Sequence, residues 1–112
     1  MKPGKRKDRL PPFVALGRGM LKTIEWHEGL TASEKVLYIH LKAKFVGINN
    51  GELCLHYSEL KGLMAKGTAC TAFKGLEEKG WIEKTRQGGL YRFTNLFRLT
   101  GKYDEALVNN NR

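Results

Sequence analysis

Residues 57–100 read YSELKGLMAKGTACTAFKGLEEKGWIEKTRQGGLYRFTNLFRLT, and the order of elements within them decides the fold. Ala69, Ala72, Phe73 and Leu76 fall on one side of a helical wheel, which predicts a helix over residues 67–79 stopped by Gly80. The other side of that wheel holds Gly67, Thr71, Lys74 and Glu78. Leu60, Leu63 and Met64 give a preceding helix over Tyr57–Met64. Trp81–Arg86 then reads as a strand and Gly88-Gly89 as a hairpin turn. Leu90–Thr100 is the returning strand, with aromatics at Tyr91, Phe93 and Phe97.

Working upstream, Thr31-Ala32-Ser33-Glu34 is a capping box. The Thr31 hydroxyl can accept from a first-turn amide while Glu34 reaches back to the start. The helix it opens is expected to run to Val46 and stop at Gly47. It carries two apolar arcs, Leu37, Tyr38, Leu41 and Phe45 on one side, Val36, Ile39, Ala43 and Val46 on the other. A surface helix needs one such arc, so this helix requires cover on both sides. Met20, Leu21, Ile24 and Trp26, on a short helix expected over Arg18–Trp26, can supply the second cover. A seam between two copies of the chain is the alternative. Phe13–Leu16 reads as an extended run, Asn49-Asn50-Gly51 as a turn, Glu52–Leu55 as a short strand and Tyr103–Leu107 as a last turn of helix. Leu37, Leu41, Phe73, Leu76 and Ile82 are expected in the core.

The 112 residues suit one domain, and 20 basic against 11 acidic side chains give a formal charge of +9. On so small a domain this points to a polyanionic partner, nucleic acid before membrane. Residues 1–12, MKPGKRKDRLPP, read as a flexible basic arm, residues 13–107 as the folded domain and residues 108–112 as a disordered tail. No apolar run is long enough to cross a membrane, and the arm lacks the interleaved aromatic pattern of an interfacial helix, so no membrane partner is expected. Cys54 and Cys70 read as reduced thiols, Cys70 as a small packing group on the flank of its helix. The expected location is the cytoplasm, on the nucleoid. Cys54 and His56 make one loose pair where a structural zinc needs four converging ligands. No phosphate-binding glycine loop or nucleophile signature is present. The expectation is therefore no catalytic residue, metal, cofactor or small-molecule substrate, and a chain that is not an enzyme.

The quoted stretch, with its EEKGWI at residues 77–82 and its tip at Gln87-Gly88-Gly89, resembles a winged helix-turn-helix domain. It is similar to the small bacterial domains of transcription regulators and of phage and plasmid replication proteins. The likeness extends from residue 13 to residue 100, through LTASEKVLYIHLK and NNGELCLHYSEL. The positions where such domains place capping Ser or Thr hold His56 and Ala65 here, and the turn at residues 63–66 is short. The resemblance implies a mainly helical α+β fold, with a three-helix core, an N-terminal helical segment and a small antiparallel hairpin as the wing. It also implies double-stranded DNA binding, as a transcription regulator. The alternatives are a replication protein bound to origin DNA and a winged helix used as a protein-interaction module.

The residues expected to meet DNA follow from that reading. On the recognition helix they are Lys66, Gly67, Thr68, Thr71 and Lys74, and on the preceding helix Tyr57, Ser58 and Lys61. The wing supplies Lys84, Arg86, Gln87 and Arg92, and the arm supplies Lys2, Lys5, Arg6, Lys7 and Arg9. Small Gly67 and Thr71 let the backbone sit deep in a major groove about 12 Å wide. Threonine can touch a thymine methyl, and Lys74 can reach guanine or a phosphate. Whether Thr71 and Lys74 or Lys66 and Thr68 face the bases stays open. The plain alternative for each is a solvated surface side chain. Double-stranded DNA is the expected partner, and a homodimer a further candidate.

Overall fold

The computed structural model describes residues 11–86 and 95–104. Over these the chain is a small α+β fold with five helices and a two-stranded antiparallel sheet. The helices are α1 (Arg18–Leu21), α2 (Ile24–His27), α3 (Ala32–Lys42), α4 (Tyr57–Leu60) and α5 (Lys66–Glu78); the strands are β1 (Ile82–Arg86) and β2 (Leu96–Leu99). None of the described helices is long and apolar enough to cross a membrane. The arm at residues 1–10, the strand tip at residues 87–94 and the tail from residue 105 lie outside the described residues.

Thr23 divides what the sequence presents as one helix over Arg18–Trp26. Its hydroxyl donates to the Met20 carbonyl at 2.8 Å and accepts from the Trp26 amide at 3.2 Å. One side chain thus closes α1 and caps α2, as a threonine able to compete with backbone bonds can do. The capping box at Thr31 forms as expected, with Glu34 N–H donating to Thr31 Oγ1 and Thr31 N–H to Glu34 Oε1. The helix it opens ends at Lys42, short of Val46. The amides of Lys44 and Phe45 there bond carbonyls only three residues back, which tightens the last turn. Helix α4 is likewise shorter than Tyr57–Met64, because Lys61 is extended and Gly62 takes φ +91°. Helix α5 begins one residue earlier than expected, at Lys66, and Gly80 at φ +85° turns the chain out of it.

The expected strand at Glu52–Leu55 reduces to a single bridge. Leu53 exchanges both backbone hydrogen bonds with Phe97, and the chain then turns into α4. Strand β2 therefore lies between β1 and Leu53. Ile82 faces Leu99 and Lys84 faces Phe97, and a bulge at Thr85 lets Arg86 pair with Leu96. Tyr103 and Asp104, expected to begin a terminal helix, are not helical; the remainder of that turn lies outside the described residues.

The core sits between α3, α5 and the sheet. Leu37, Leu41, Leu76 and Ile82 are buried as expected. Phe73 is half-buried, with its ring stacked on Phe97 at 4.9 Å. Trp26, Tyr38 and Trp81 meet edge to face at 5.4–6.1 Å. Such contacts add roughly 0.5–1.5 kcal/mol per pair beyond burial. On the second arc of α3, Val36 and Ile39 are half-buried while Ala43 and Val46 are exposed. Ile24, expected to help cover that arc, instead points to solvent.

Two polar anchors hold α3 at its ends. At the first, buried Glu34 extends across α5 and accepts from Lys79 Nζ at 2.6 Å, with Gly75 beneath its carboxylate. A Cβ at Gly75 would overlap that carboxylate. At the second, buried Asp104 accepts from Lys42 Nζ at 2.5 Å, from the Tyr38 hydroxyl at 2.6 Å and from the Gly17 amide at 3.3 Å. Burial would raise the Asp104 carboxyl, but the hydrogen bonds from Lys42 and Tyr38 and the Lys42 charge outweigh it and hold the group below its ordinary range. Burial first, then the bond to Asp104, pushes the Tyr38 phenol far up.

Each anchor makes a prediction. Gly75→Ala should cost about 1–2 kcal/mol although alanine favours helix, because the displaced carboxylate loses its cap and its lysine. In a Glu34→Ala background the same change should stabilise by about 0.5–1 kcal/mol. Urea unfolding of the four proteins reads this reversal of sign, and a Gly75→Ala cost that survives without Glu34 would refute it. Asp104→Asn should cost about 3–5 kcal/mol at neutral pH, since it strands a buried ammonium. The lowered carboxyl contributes stability that is complete above the unfolded value near pH 4 and is lost as pH falls through the folded one. Denaturation across pH 2–7 should show a wild-type decline below about pH 4 that Asp104→Asn flattens.

Candidate nucleic-acid interface

Helix α5 buries Ala69, Ala72 and Leu76 against α3 and the sheet, which fixes its rotation about its own axis. The opposite face then has one composition available to it. Lys66, Gly67, Thr68, Cys70, Thr71, Lys74 and Glu78 are exposed along it. All five residues expected on the recognition helix lie on this one helix and reach solvent. Gly67 has nothing within 4 Å of where a Cβ would stand, so a second surface could approach the backbone closely there. Its N-cap, Ala65, provides no side-chain hydrogen bond, as the sequence indicates; neither does His56 on α4.

Tyr57, Ser58 and Lys61 are exposed on α4 and the turn after it. Tyr57 joins them to α5. Lys66 Nζ stands 5.1 Å above its ring. Burial, together with the charge and hydrogen bonding of the neighbouring Cys70 thiol, raises its phenol above the ordinary value. Cys70 is thus an exposed member of this surface and not the packing group its place in the sequence suggests. With Ala69, Ala72 and Leu76 turned into the core, Cys70 falls on the solvent side of α5, beside Tyr57. Glu59, also on α4, pairs with Lys44 at 2.7 Å, and the hydrogen bond from that lysine lowers its carboxyl.

On the sheet, Lys84 is half-buried with Nζ 4.0 Å from Glu77, and Arg86 is exposed at the end of β1. Arg98 pairs with Glu83 at 2.6 Å. Gln87 and Arg92 of the wing, and Lys2, Lys5, Arg6, Lys7 and Arg9 of the arm, lie outside the described residues. An open groove of about 600 Å³ runs between α5 and the start of α3, lined by Thr31, Ser33, Glu34, Ala65, Gly67, Thr68, Thr71 and Ala72. The sequence shows both flanking segments but not that they adjoin, because the contact depends on Glu34 crossing onto α5. Elsewhere, Cys54 Sγ and His56 Nε2 stand 4.0 Å apart, and no third metal-binding side chain joins them among the described residues.

No protein-family model, curated protein or solved structure matches this chain.

Proposed function

We propose that the chain binds double-stranded DNA as a winged helix-turn-helix protein and acts as a transcription regulator. Helices α4 and α5 form the helix pair, α5 enters the major groove, and β1 and β2 carry the wing. The observation that carries this reading is the outer face of α5. It is an exposed strip of Gly67, Thr68 and Thr71 bounded by Lys66 and Lys74, on a helix whose other side is fixed in the core. Small side chains allow close approach to base edges, and the lysines supply phosphate or guanine contacts. Lys61 and Arg86 extend the positive charge to either side. The arm, with five basic residues against Asp8, adds phosphate contacts that do not depend on sequence. The formal charge of +9 favours the same partner.

Random-sequence duplex should bind with a dissociation constant of about 1–100 μM at physiological salt, and much more tightly as salt is lowered. Fluorescence anisotropy across a salt series measures this. No binding at about 50 mM salt, or binding indifferent to salt, would remove the reading. Binding-site selection then assigns roles. Thr71→Ala and Lys74→Ala should change the preferred sequence, by about 1–3 kcal/mol at one or two positions. Arg86→Ala should weaken all sequences alike and reduce the salt slope by about one.

A further inference from the structure

The turn at Asn49-Asn50-Gly51 fastens three parts of the fold together. Asn49 ties it to the end of α3, accepting from the Val46 amide at 2.9 Å and donating to the Lys44 carbonyl at 2.8 Å. Asn50 ties it to β2. Its side chain donates to the Leu99 carbonyl at 3.0 Å and accepts from the Leu99 amide at 2.8 Å. A side-chain amide thus stands in for a third strand beside Leu99, as the Leu53 backbone does beside Phe97. Gly51, at φ +101°, turns its carbonyl to β1, where the Thr85 hydroxyl donates to it at 2.5 Å. Thr85 lies at the bulge that lets Arg86 pair with Leu96. Ile82, Phe97 and Leu99 are buried and hold the base of the hairpin, whereas Thr85 and Arg86 are exposed beyond it. A two-stranded ribbon twists more strongly than a wide sheet, so its base alone does not fix the heading of its far end.

We infer that this turn sets the direction in which the hairpin leaves the domain, with Asn50 and Thr85 as its positioning residues. On the DNA reading above, on which this consequence rests, the turn thereby places Arg86 against a phosphate while neither positioning residue touches DNA itself. The chemistry of the two side chains fits the role. Asn50 faces both the N–H and the C=O of one residue, so it must accept and donate at once, which neither a carboxylate nor a methyl group can do. Thr85 faces a carbonyl and must donate. Their partners lie 49 and 34 residues away in sequence, so both bonds tie the turn to strands and not to its own neighbours.

Asn50→Ala and Thr85→Val test this in the full chain. The second removes only an exposed hydroxyl and keeps a residue suited to a strand. Residual dipolar couplings without DNA report how β1 and β2 lie relative to α3 and α5. In both variants the hairpin should reorient beyond the wild-type scatter while α3 and α5 keep their mutual orientation. A hairpin unmoved in either variant overturns the inference, and so do helices that move with it. Fluorescence anisotropy on duplex DNA reads the consequence. Arg86→Ala in the wild type should weaken binding about fivefold at about 0.15 M salt, the worth of one phosphate contact. In the Thr85→Val background the same change should cost less than about twofold, while Lys74→Ala keeps its full effect. An Arg86→Ala cost that stays about fivefold in that background, or that is absent from the wild type, overturns the positioning of Arg86. Loss of the Lys74→Ala effect there does the same. A wild type that binds no duplex removes the DNA reading, and the dipolar couplings then decide the role of the turn alone.

Discussion

The carboxylate of Glu34 lies over Gly75, and much of the arrangement rests on that contact. Glu34 Oε1 accepts from the Thr31 amide at 2.9 Å and from Lys79 Nζ at 2.6 Å, so one buried oxygen closes the start of α3 and reaches the end of α5. Only a residue without a Cβ leaves room for it. A carboxylate this buried is costly unless it is both paired and hydrogen-bonded, and here both conditions are met. The consequence is directional. With α5 anchored through Gly75 and Lys79 and buried through Ala69, Ala72 and Leu76, its rotation is fixed, and Gly67, Thr71 and Lys74 can only face outward.

The other end of α3 repeats the device with different chemistry. Asp104 gathers Lys42 and Tyr38 from α3 and the amide of Gly17 ahead of α1. Segments separated by 87 residues in sequence are joined at one carboxylate. Between Glu34 and Lys42 the helix rises about 12 Å, and the edge-to-face aromatic cluster and the leucines fill that interval. A buried ion pair of this kind is weak testimony for net stability, because apolar replacements can do as well. Its effect here is on connectivity: the chain leading into α1 and the chain leaving β2 are held against the same turn of α3.

The helical half of this was legible from single-sequence patterns because local chemistry determines it. Thr31 and Glu34 are three residues apart, the α5 apolar residues repeat at helical spacing, and Gly80 follows the last turn. The errors arise where a polar side chain overrides the apolar pattern. Thr23 splits a helix that Met20, Leu21 and Ile24 would support as one, and positive φ at Gly62 ends another that Leu63 and Met64 appeared to continue. Glu52–Leu55 alternates like a strand, yet only Leu53 finds a partner, since strand formation requires a neighbour that the sequence does not name. Of the candidate site, the α5 face was readable from the wheel alone. The pairing of exposed Cys70 with Tyr57 was not, because it depends on the packing of another helix. The approach of Lys84 to Glu77 was equally hidden, since it comes from the packing of β1 on α5.

Near α5, Lys79 pairs with Glu34 and Lys84 approaches Glu77, while Lys66 keeps its charge above the Tyr57 ring, so the cations of the described residues there are interspersed with acids. Residues 1–10, by contrast, concentrate five basic side chains in a short stretch. On the proposed reading these parts do different work. A moderate field with small side chains on α5 favours contacts that depend on the shape and chemistry of base edges, where excess cation would bind every sequence equally. The arm supplies the indifferent attraction, whose strength depends on salt.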